Sequence, residues 1–203
     1  MDLIGDLRND IDELKTALLD SDVLSVSPPD SLTRRQKLVI TSFVILAHAH
    51  IEEFIEELFM RYVREREKEI TNLSAPQCFI RLSLHFSADL IGQQVHKKPV
   101  AAVCETTKHL YKNKVITSNN GLKATNVASL AKPLGLDGKQ LDDSCEDLFK
   151  ALNTLGAKRG KMAHTSSASQ VADEDVYASQ AVTWVEDVVN RLDDLLNYLH
   201  STI

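Results

Sequence analysis

The fold is decided by residues 43–62, which read FVILAHAHIEEFIEELFMRY. Apolar side chains recur here every three or four residues, which is the spacing of one face of an α-helix. Glu52, Glu53, Glu56, Glu57 and Arg61 lie outside this face. The pattern predicts a helix from about Leu32 to about Ile70. Its predicted core face comprises Phe43, Ala47, Ile51, Phe54, Ile55, Leu58, Phe59 and Tyr62.

Helical spacing continues on both sides of this segment. Asp30 or Ser31, Ser74 and the Asp142–Ser144 run are predicted to cap helices, because short polar side chains accept hydrogen bonds from the first free backbone N–H groups. The predicted helices lie at about residues 4–18, 32–70, 74–86, 99–111, 125–134, 142–164 and 173–199. With no strand pattern, repeat or long linker, residues 1–203 are predicted to form an all-α, single-domain helical bundle of about six or seven helices.

The sequence also predicts a compartment. No uninterrupted apolar run approaches the roughly 18 residues of a membrane span, and the first 20 residues alternate charged and apolar types, unlike a signal peptide. The 3 cysteines are far apart and form no CxxC pair, which favours reduced, partly buried thiols. We therefore expect a soluble, cytoplasmic protein without a membrane partner.

Charge is unevenly distributed along the chain. The formal net charge is −6, which argues against a general nucleic-acid coat protein. The segment 90–132, however, contains seven lysines and one acid, Glu105. This distribution indicates a local surface for a specific anionic ligand, and the ordinary alternative is a solvated lysine face.

Most catalytic motifs are absent from the sequence. There is no glycine-rich phosphate loop and no HExxH motif. His48 and His50 are two residues apart, which turns their rings to different sides of a helix and makes them a poor metal pair. We interpret both as ordinary histidines on the flank of the helix. No metal site and no cofactor are predicted.

The remaining candidate is the hexapeptide Arg159-Gly-Lys-Met-Ala-His164. Histidine can give and take a proton near neutral pH, and arginine offers a planar fork of donors that matches phosphate oxygens. Together they suffice for metal-free cleavage of RNA. On a continuous helix, however, five residues turn two side chains roughly 140° apart. The pair converges only if the helix bends near Gly160 or if another chain completes the cleft.

Spacing alone leaves an alternative for this pair. Arg159 would then be a solvated arginine, and His164 a residue at a helix C-terminus, where a cation interacts favourably with the helix dipole.

Three stretches resemble the HEPN superfamily, whose signature is an Arg, four to six residues, then a His, near the end of a helical-bundle domain. The stretch Ala47–Glu57, AHAHIEEFIEE, resembles the acidic-flanked second helix of bacterial defence-associated members. Asn119–Val127, NNGLKATNV, resembles their middle segment, and Leu152–His164 resembles the signature itself. The sequence is most similar to the RiboL-PSP-type group. The resemblance covers roughly residues 35–200, and residues 1–30 form an N-terminal helix and linker.

This resemblance implies a metal-independent endoribonuclease of the toxin or antiviral-defence type. It implies a homodimer in which Arg159 and His164 of two subunits face each other across a composite cleft. It also implies a possible antitoxin partner, such as a nucleotidyltransferase. From their charge we add Lys158 and Lys161 as nearby RNA contacts.

Two other functions stay open. Members of the group commonly carry a polar residue after the Arg, and here Gly160 stands there. That departure and the acidic net charge favour a non-catalytic dimerisation or partner-binding module. The third possibility is a helical bundle without nucleic-acid contact. Glu52 and Glu53 either organise the site or are solvated helix carboxylates, and the second interpretation is the ordinary one.

Overall fold

Helices account for all the regular structure in the part of the chain that a computed structural model describes, namely residues 3–28, 30–71, 73–91, 97–164 and 175–202. The predicted all-α class is therefore confirmed. The α-helices are α1 (Leu3–Leu18), α2 (Ser21–Leu24), α3 (Arg34–Glu67), α4 (Gln77–His85), α5 (Ser87–Ile91), α6 (Val100–Tyr111), α7 (Ala124–Ala131), α8 (Gly138–Ser144), α9 (Glu146–His164), α10 (Ala178–Val189) and α11 (Leu192–Ser201). A π-helical turn, Lys112–Ile116, follows α6, and a 3₁₀ turn, Lys132–Leu134, follows α7.

The long central helix forms as predicted, and its entire predicted core face is buried. It begins differently, because Thr33 and Gln36 make a capping box in place of the predicted Asp30 or Ser31 cap. The Gln36 Oε1 atom accepts from the Thr33 backbone N–H at 2.8 Å, and the Gln36 N–H donates to Thr33 Oγ1 at 3.3 Å. This reciprocal pair of hydrogen bonds satisfies two backbone N–H groups that have no acceptor within the helix at its N-terminus.

Helix α3 is also long and apolar enough, by length and composition alone, to cross a membrane; it is the one such helix among the described residues. This measure tolerates two charged residues in its window, so it does not contradict the prediction that no uninterrupted apolar run approaches this length. Core helices pass the same test. Ile40, Val44, Ile51 and Phe59 of α3 are essentially inaccessible to solvent, which is the behaviour of a core helix.

The chain divides into two compact units, of which the first comprises Met1–Phe54 and Glu146–Asp194. Within it, α10 packs against α9, α1 and α2. The Tyr177 hydroxyl, just before α10, donates to the Asp30 carbonyl at 2.8 Å, and Asp175 pairs with Lys37 at 2.5 Å. These contacts tie the start of α10 to the start of α3. The buried core of this unit includes Ile4, Leu7, Ile11, Leu148, Leu152, Leu155, Ala181, Val185 and Val188.

The second unit comprises Ile55–Cys145 and Leu195–Ile203. Within it, α4 packs against α5, α6 and the 3₁₀ turn, and α7 packs against α8 and both irregular turns. The fully buried Tyr111 donates from its hydroxyl to the Leu130 carbonyl at 2.9 Å, which joins α6 to α7. Gly135 ends the 3₁₀ turn at φ 74°, in the left-handed region that favours glycine.

Among the described residues, the eleven α-helices exceed the predicted six or seven for identifiable reasons. Asp142–Ser144 do not cap a helix but end α8, whose own cap is Asp137. The predicted last helix is broken at Asn190 and Arg191 into α10 and α11. Ser74 does not cap α4, because its hydroxyl bonds that of Thr71 at 2.8 Å and Pro76 takes the capping position.

Candidate active site

The signature hexapeptide occupies the last turns of α9. The helix begins with Glu146 and Asp147, whose charges suit the positive end of the helix dipole. It is anchored by a stripe of buried leucines, Leu148, Leu152 and Leu155. Gly160 does not interrupt it, since the helix is continuous to His164. A continuous helix separates positions 159 and 164 by roughly 140° around its axis.

Arg159 is half-buried on this helix. Its Nε atom is buried and makes no hydrogen bond within the described part of the chain. A buried donor without a partner costs about 1–3 kcal/mol, so native proteins rarely keep one without a reason. Stored strain, a catalytic role, or a bound water or ion can account for such a donor, and the Nη2 atom of Arg66 is a second buried donor without a partner among the described residues.

The charge of Arg159 acts on a histidine, His48, which the sequence pattern had suggested was ordinary. His48 of α3 is only 4% exposed. Burial, and secondarily the positive charge of Arg159, lower the pKa of His48 to about 4. His48 is therefore neutral at physiological pH. Its Nδ1 atom lies 3.6 Å from the Glu52 Oε2 atom one turn further along α3.

Of the other residues in this region of α3, Glu52 departs from its ordinary interpretation, whereas Glu53 and His50 follow theirs. Glu52 is half-buried, with a side-chain exposure of 22%, so it is one of the carboxylates near the site and not a fully solvated one. Glu53 is exposed, as the ordinary interpretation predicted. His50 contacts a different element, with its Nδ1 atom 3.7 Å from Asp10 Oδ2 of α1. The two histidines thus serve different neighbours, as their two-residue spacing predicted.

The two candidate RNA-binding lysines have different surroundings. Lys158 is half-buried, and its Nζ atom lies 4.7 Å from the centre of the Trp184 ring of α10. This cation–π contact, worth about 0.5–1 kcal/mol at an exposed site, fastens the end of α9 to α10. Lys161 is exposed on α9. Of the two, Lys161 is the more accessible to an RNA phosphate.

His164 is the last residue of α9, and its side chain lies outside the described part of the structure. Its backbone position at the end of α9 still bears on the geometry of the site. Because the helix is continuous, the Arg159 and His164 positions of one chain do not face a common point. No unwound segment separates the two residues at Gly160.

The lysine-rich segment belongs to the second unit. Lys108 pairs with Glu67 at 2.7 Å and with Glu105 at 2.8 Å, and Lys114 pairs with Asp89 at 2.5 Å. Two of the seven lysines are thus neutralised locally. The other five are exposed, namely Lys97, Lys98, Lys112, Lys123 and Lys132.

Among the described residues, no three His, Cys, Asp or Glu side chains come together in a way that could hold a metal ion. The three cysteines are buried.

Sequence reasoning missed His48, although a local signal was present. His48 follows Val44 by four residues and precedes Ile51 by three, and both neighbours are buried in the core. This spacing places His48 on the core face of α3 and not on its flank. The proximity of Arg159 could not be read from the sequence, because the two residues are 111 positions apart.

One family model matches nearly the entire chain. The model is described as RiboL-PSP-HEPN, and the match covers residues 4–198. It includes α1, which the sequence resemblance had left out, and it ends within α11. No curated protein and no solved structure matches the chain.

Proposed function

The chain belongs to the RiboL-PSP-HEPN family, and from that premise we propose that it is a metal-independent endoribonuclease of the toxin or antiviral-defence type. The single observation that carries the proposal is the state of Arg159. Its guanidinium stands on the last turns of α9 with a buried Nε donor that no described residue uses. A guanidinium with donors to spare is suited to the oxygens of an RNA phosphate.

The proposed chemistry divides between two residues. The His164 imidazole moves a proton at the attacking 2′-hydroxyl or at the leaving 5′-oxygen, and such help is worth about 10²–10⁴-fold in rate. Arg159 stabilises the charge that develops on the phosphorane. Lys161, and Lys158 beside it, contact neighbouring phosphates. The reaction uses only imidazole and guanidinium groups and requires no metal.

The proposed site is shared between two copies of the chain. The continuous helix α9 supports this, because it turns positions 159 and 164 roughly 140° apart. One chain alone then cannot aim both residues at one phosphate. In a homodimer, Arg159 of one subunit and His164 of its partner act on the same phosphate. We also propose a cytoplasmic location and an antitoxin partner such as a nucleotidyltransferase.

The proposal is tested by RNA cleavage in the presence of EDTA. We expect wild type to cut, and His164→Ala and Arg159→Lys each to lose about 10²–10³-fold, because lysine cannot reproduce a two-point contact. His200→Ala and Arg8→Lys are matched controls on exposed positions and should cut like wild type. Equal cutting by His164→Ala would overturn the assignment of His164.

The shared cleft has its own test. Arg159→Ala and His164→Ala are each inactive in the proposal. Mixing the two and allowing subunits to exchange creates dimers that hold one intact Arg159 and one intact His164 in the same cleft. Partial recovery of cleavage is expected. No recovery, despite demonstrated exchange, would contradict the shared site.

Gly160 favours a second candidate, a non-catalytic dimerisation or partner-binding module. A Cβ atom added at Gly160 would meet nothing within 4 Å, so the position after the Arg provides no side chain and has no close neighbour. A dimer that cuts no RNA across varied substrates, yet co-purifies with the product of the neighbouring gene, would favour this candidate over the ribonuclease. An RNA titration at low salt separates the ribonuclease from a bundle without nucleic-acid contact, because phosphate contacts give a strong salt dependence.

A further inference from the structure

The outer face of α3 is apolar although it lies on the surface. Leu38 is 58% exposed and Leu46 is 42% exposed. Ser42 and Ala49 are exposed beside them, and Ile45 is half-buried. These five residues follow one another at intervals of three or four, so they form one stripe along the helix, which we call the α3 stripe.

The composition of this part of α3 differs from that of a helix with a solvated side. Residues 38–51 contain no Asp, Glu, Lys or Arg. A surface helix carries charged or polar groups opposite its core face, whereas a helix that is apolar all round is covered on every side. Less than half of the apolar 18-residue window of α3 is buried. The α3 stripe therefore presents apolar surface that the described residues leave uncovered.

The charges at the two ends of the stripe have opposite signs. Arg34 lies one turn before the stripe and Glu53 one turn after it, and both are exposed. Neither has an ion-pair partner among the described residues. If two α3 helices pack antiparallel, with a two-fold axis midway between residues 43 and 44, Arg34 of each copy faces Glu53 of the other. A parallel pair would set like charges against each other, so the charges favour the antiparallel pair.

The side chains of the stripe are also complementary in size about this axis. Leu38 of one copy faces Ala49 of the other, and Ser42 faces Ile45. Each pair sets a large side chain against a small one, which lets the surfaces of two helices interdigitate. The Ser42 hydroxyl already donates to the Leu38 carbonyl at 2.9 Å, so it requires no acceptor from a partner.

We propose that the α3 stripe is the contact surface between two copies of this chain, packed antiparallel about that two-fold axis. The inference deepens the proposed function: it rests on the homodimer expected there and names the surface that forms it. Residues 34–54 of α3 belong to the same unit as α9, so the stripe lies on the unit that carries Arg159 and His164.

The oligomeric state of the full chain tests this surface without RNA. In sedimentation velocity at a series of micromolar concentrations, wild type should form dimers, and Leu38→Glu/Leu46→Glu should stay monomeric. The matched control is Ile80→Glu/Leu84→Glu, which makes the same changes one turn apart on α4, at positions 51% and 64% exposed; it should dimerise like wild type. Circular dichroism shows that each variant is folded. Monomeric wild type throughout, or dimers of Leu38→Glu/Leu46→Glu, would overturn the proposal.

A lipid bilayer is the other apolar environment that such a stripe can meet. As a helix, residues 38–49 rise about 18 Å, against about 30 Å of hydrocarbon in a bilayer, so the stripe cannot span one. The opposite face of α3 is the protein core and not the basic face of an interfacial helix. Wild type should therefore not sediment with vesicles of phosphatidylcholine and phosphatidylglycerol. Sedimentation that Leu38→Glu/Leu46→Glu abolishes would overturn the proposal in favour of a lipid surface.

Charge reversal tests the pairing of the two ends. Arg34→Glu or Glu53→Arg alone places like charges at both symmetric contacts and should weaken dimerisation by about 3- to 10-fold. The double variant Arg34→Glu/Glu53→Arg restores opposite charges across the axis and should dimerise like wild type. No weakening in either single variant, or no recovery in the double variant, would contradict the antiparallel pairing.

Disulfide formation tests the direction of packing. The chain's own three thiols are buried, so they give no background. Under mild oxidation, Leu38→Cys/Ala49→Cys should form a covalent dimer. Leu38→Cys alone should not, because the two copies of position 38 lie about 16 Å apart along an antiparallel pair, whereas a disulfide requires Cα atoms within about 7 Å. A covalent dimer of Leu38→Cys alone would overturn the antiparallel arrangement.

RNA cleavage separates this inference from the proposed function. Where Leu38→Glu/Leu46→Glu is monomeric, it should cut RNA about 10²-fold more slowly than wild type, because each cleft then lacks a catalytic group from the second copy. Ile80→Glu/Leu84→Glu should cut like wild type. If wild type dimerises through the stripe but cuts no RNA, the proposed function fails and the contact surface stands. If wild type cuts RNA and its dimer survives Leu38→Glu/Leu46→Glu, the contact surface is wrong and the proposed function stands.

Discussion

At the scale of single residues, His48 couples folding to pH. Its pKa is lowered from 6.5 to about 4 in the folded protein, first by burial and then by Arg159. As the pH falls from about 6.5 toward about 4, the unfolded chain binds a proton that the folded chain refuses. The stability that depends on neutral His48 is therefore complete above this window and is lost within it.

The expected result is a difference in pH dependence between wild type and His48→Gln. The free energy of unfolding of wild type should fall relative to that of His48→Gln by up to about 1.4 kcal/mol per pH unit inside the window, because only wild type carries this proton linkage. Urea unfolding at a series of pH values measures it. His50→Gln is the control and should keep the wild-type linkage at His48. Parallel stability curves for wild type and His48→Gln would contradict the burial of a neutral His48.

The same scale shows which parts of the site could be predicted. The residue types and spacing of the hexapeptide pointed to Arg159 and His164, because their chemistry is local to a few letters of sequence. The neighbourhood of Arg159 could not be predicted in this way. The burial of the Nε atom and the effect of Arg159 on the pKa of His48 depend on how distant segments fold together, which leaves no short-range pattern.

At the scale of elements, two glycines should respond to alanine in opposite directions. Gly160 lies inside α9, and an added Cβ atom would meet nothing within 4 Å. Gly160→Ala should therefore stabilise the protein by about 0.5–1 kcal/mol, since alanine loses less backbone freedom on forming a helix. Gly135 has φ 74°, and an added Cβ atom would lie 2.6 Å from Arg81 Cγ. Gly135→Ala should destabilise by about 1–2 kcal/mol through left-handed strain alone.

Both changes are measured by the midpoint of urea unfolding. The Arg81 side chain can move aside and relieve the close contact with the added Cβ atom. The strain at Gly135 remains, because it comes from the left-handed backbone and not from the contact. Gly138→Ala can be compared with Gly160→Ala, because its added Cβ atom also has no neighbour within 4 Å. A loss of stability in Gly160→Ala would mean that α9 is not helical at this position.

Elements were predicted well where their pattern was long and less well where it was short. The 34 residues of α3 contain nine turns of apolar spacing, so neither its existence nor its buried face was in doubt. Helix α8 has seven residues and starts at a glycine, and it was missed. The break at Asn190 and Arg191 was also missed, because apolar residues keep helical spacing across it and so conceal two helices as one.

At the scale of the whole molecule, the chain carries separate reporters for its two units. The single tryptophan, Trp184, belongs to the first unit, and Cys78, Cys104 and Cys145 all belong to the second. All three thiols are buried. Burial raises the pKa of Cys78 to about 11, which keeps that thiol protonated and unreactive. A thiol reagent therefore reports the opening of the second unit, and tryptophan fluorescence reports the opening of the first.

We expect these two reporters to show one transition, as the prediction of a single domain requires. Helix α3 supplies Arg34–Phe54 to the first unit and Ile55–Glu67 to the second, so unfolding either unit deprives half of one helix of its packing. Short helices without packing are marginal in water, so the loss should spread along α3. Urea titrations followed by Trp184 fluorescence and by thiol reactivity should then have the same midpoint, which is a standard test of two-state unfolding. Reaction of the thiols at a urea concentration where the fluorescence is still native would show that residues 1–203 contain two independently stable domains.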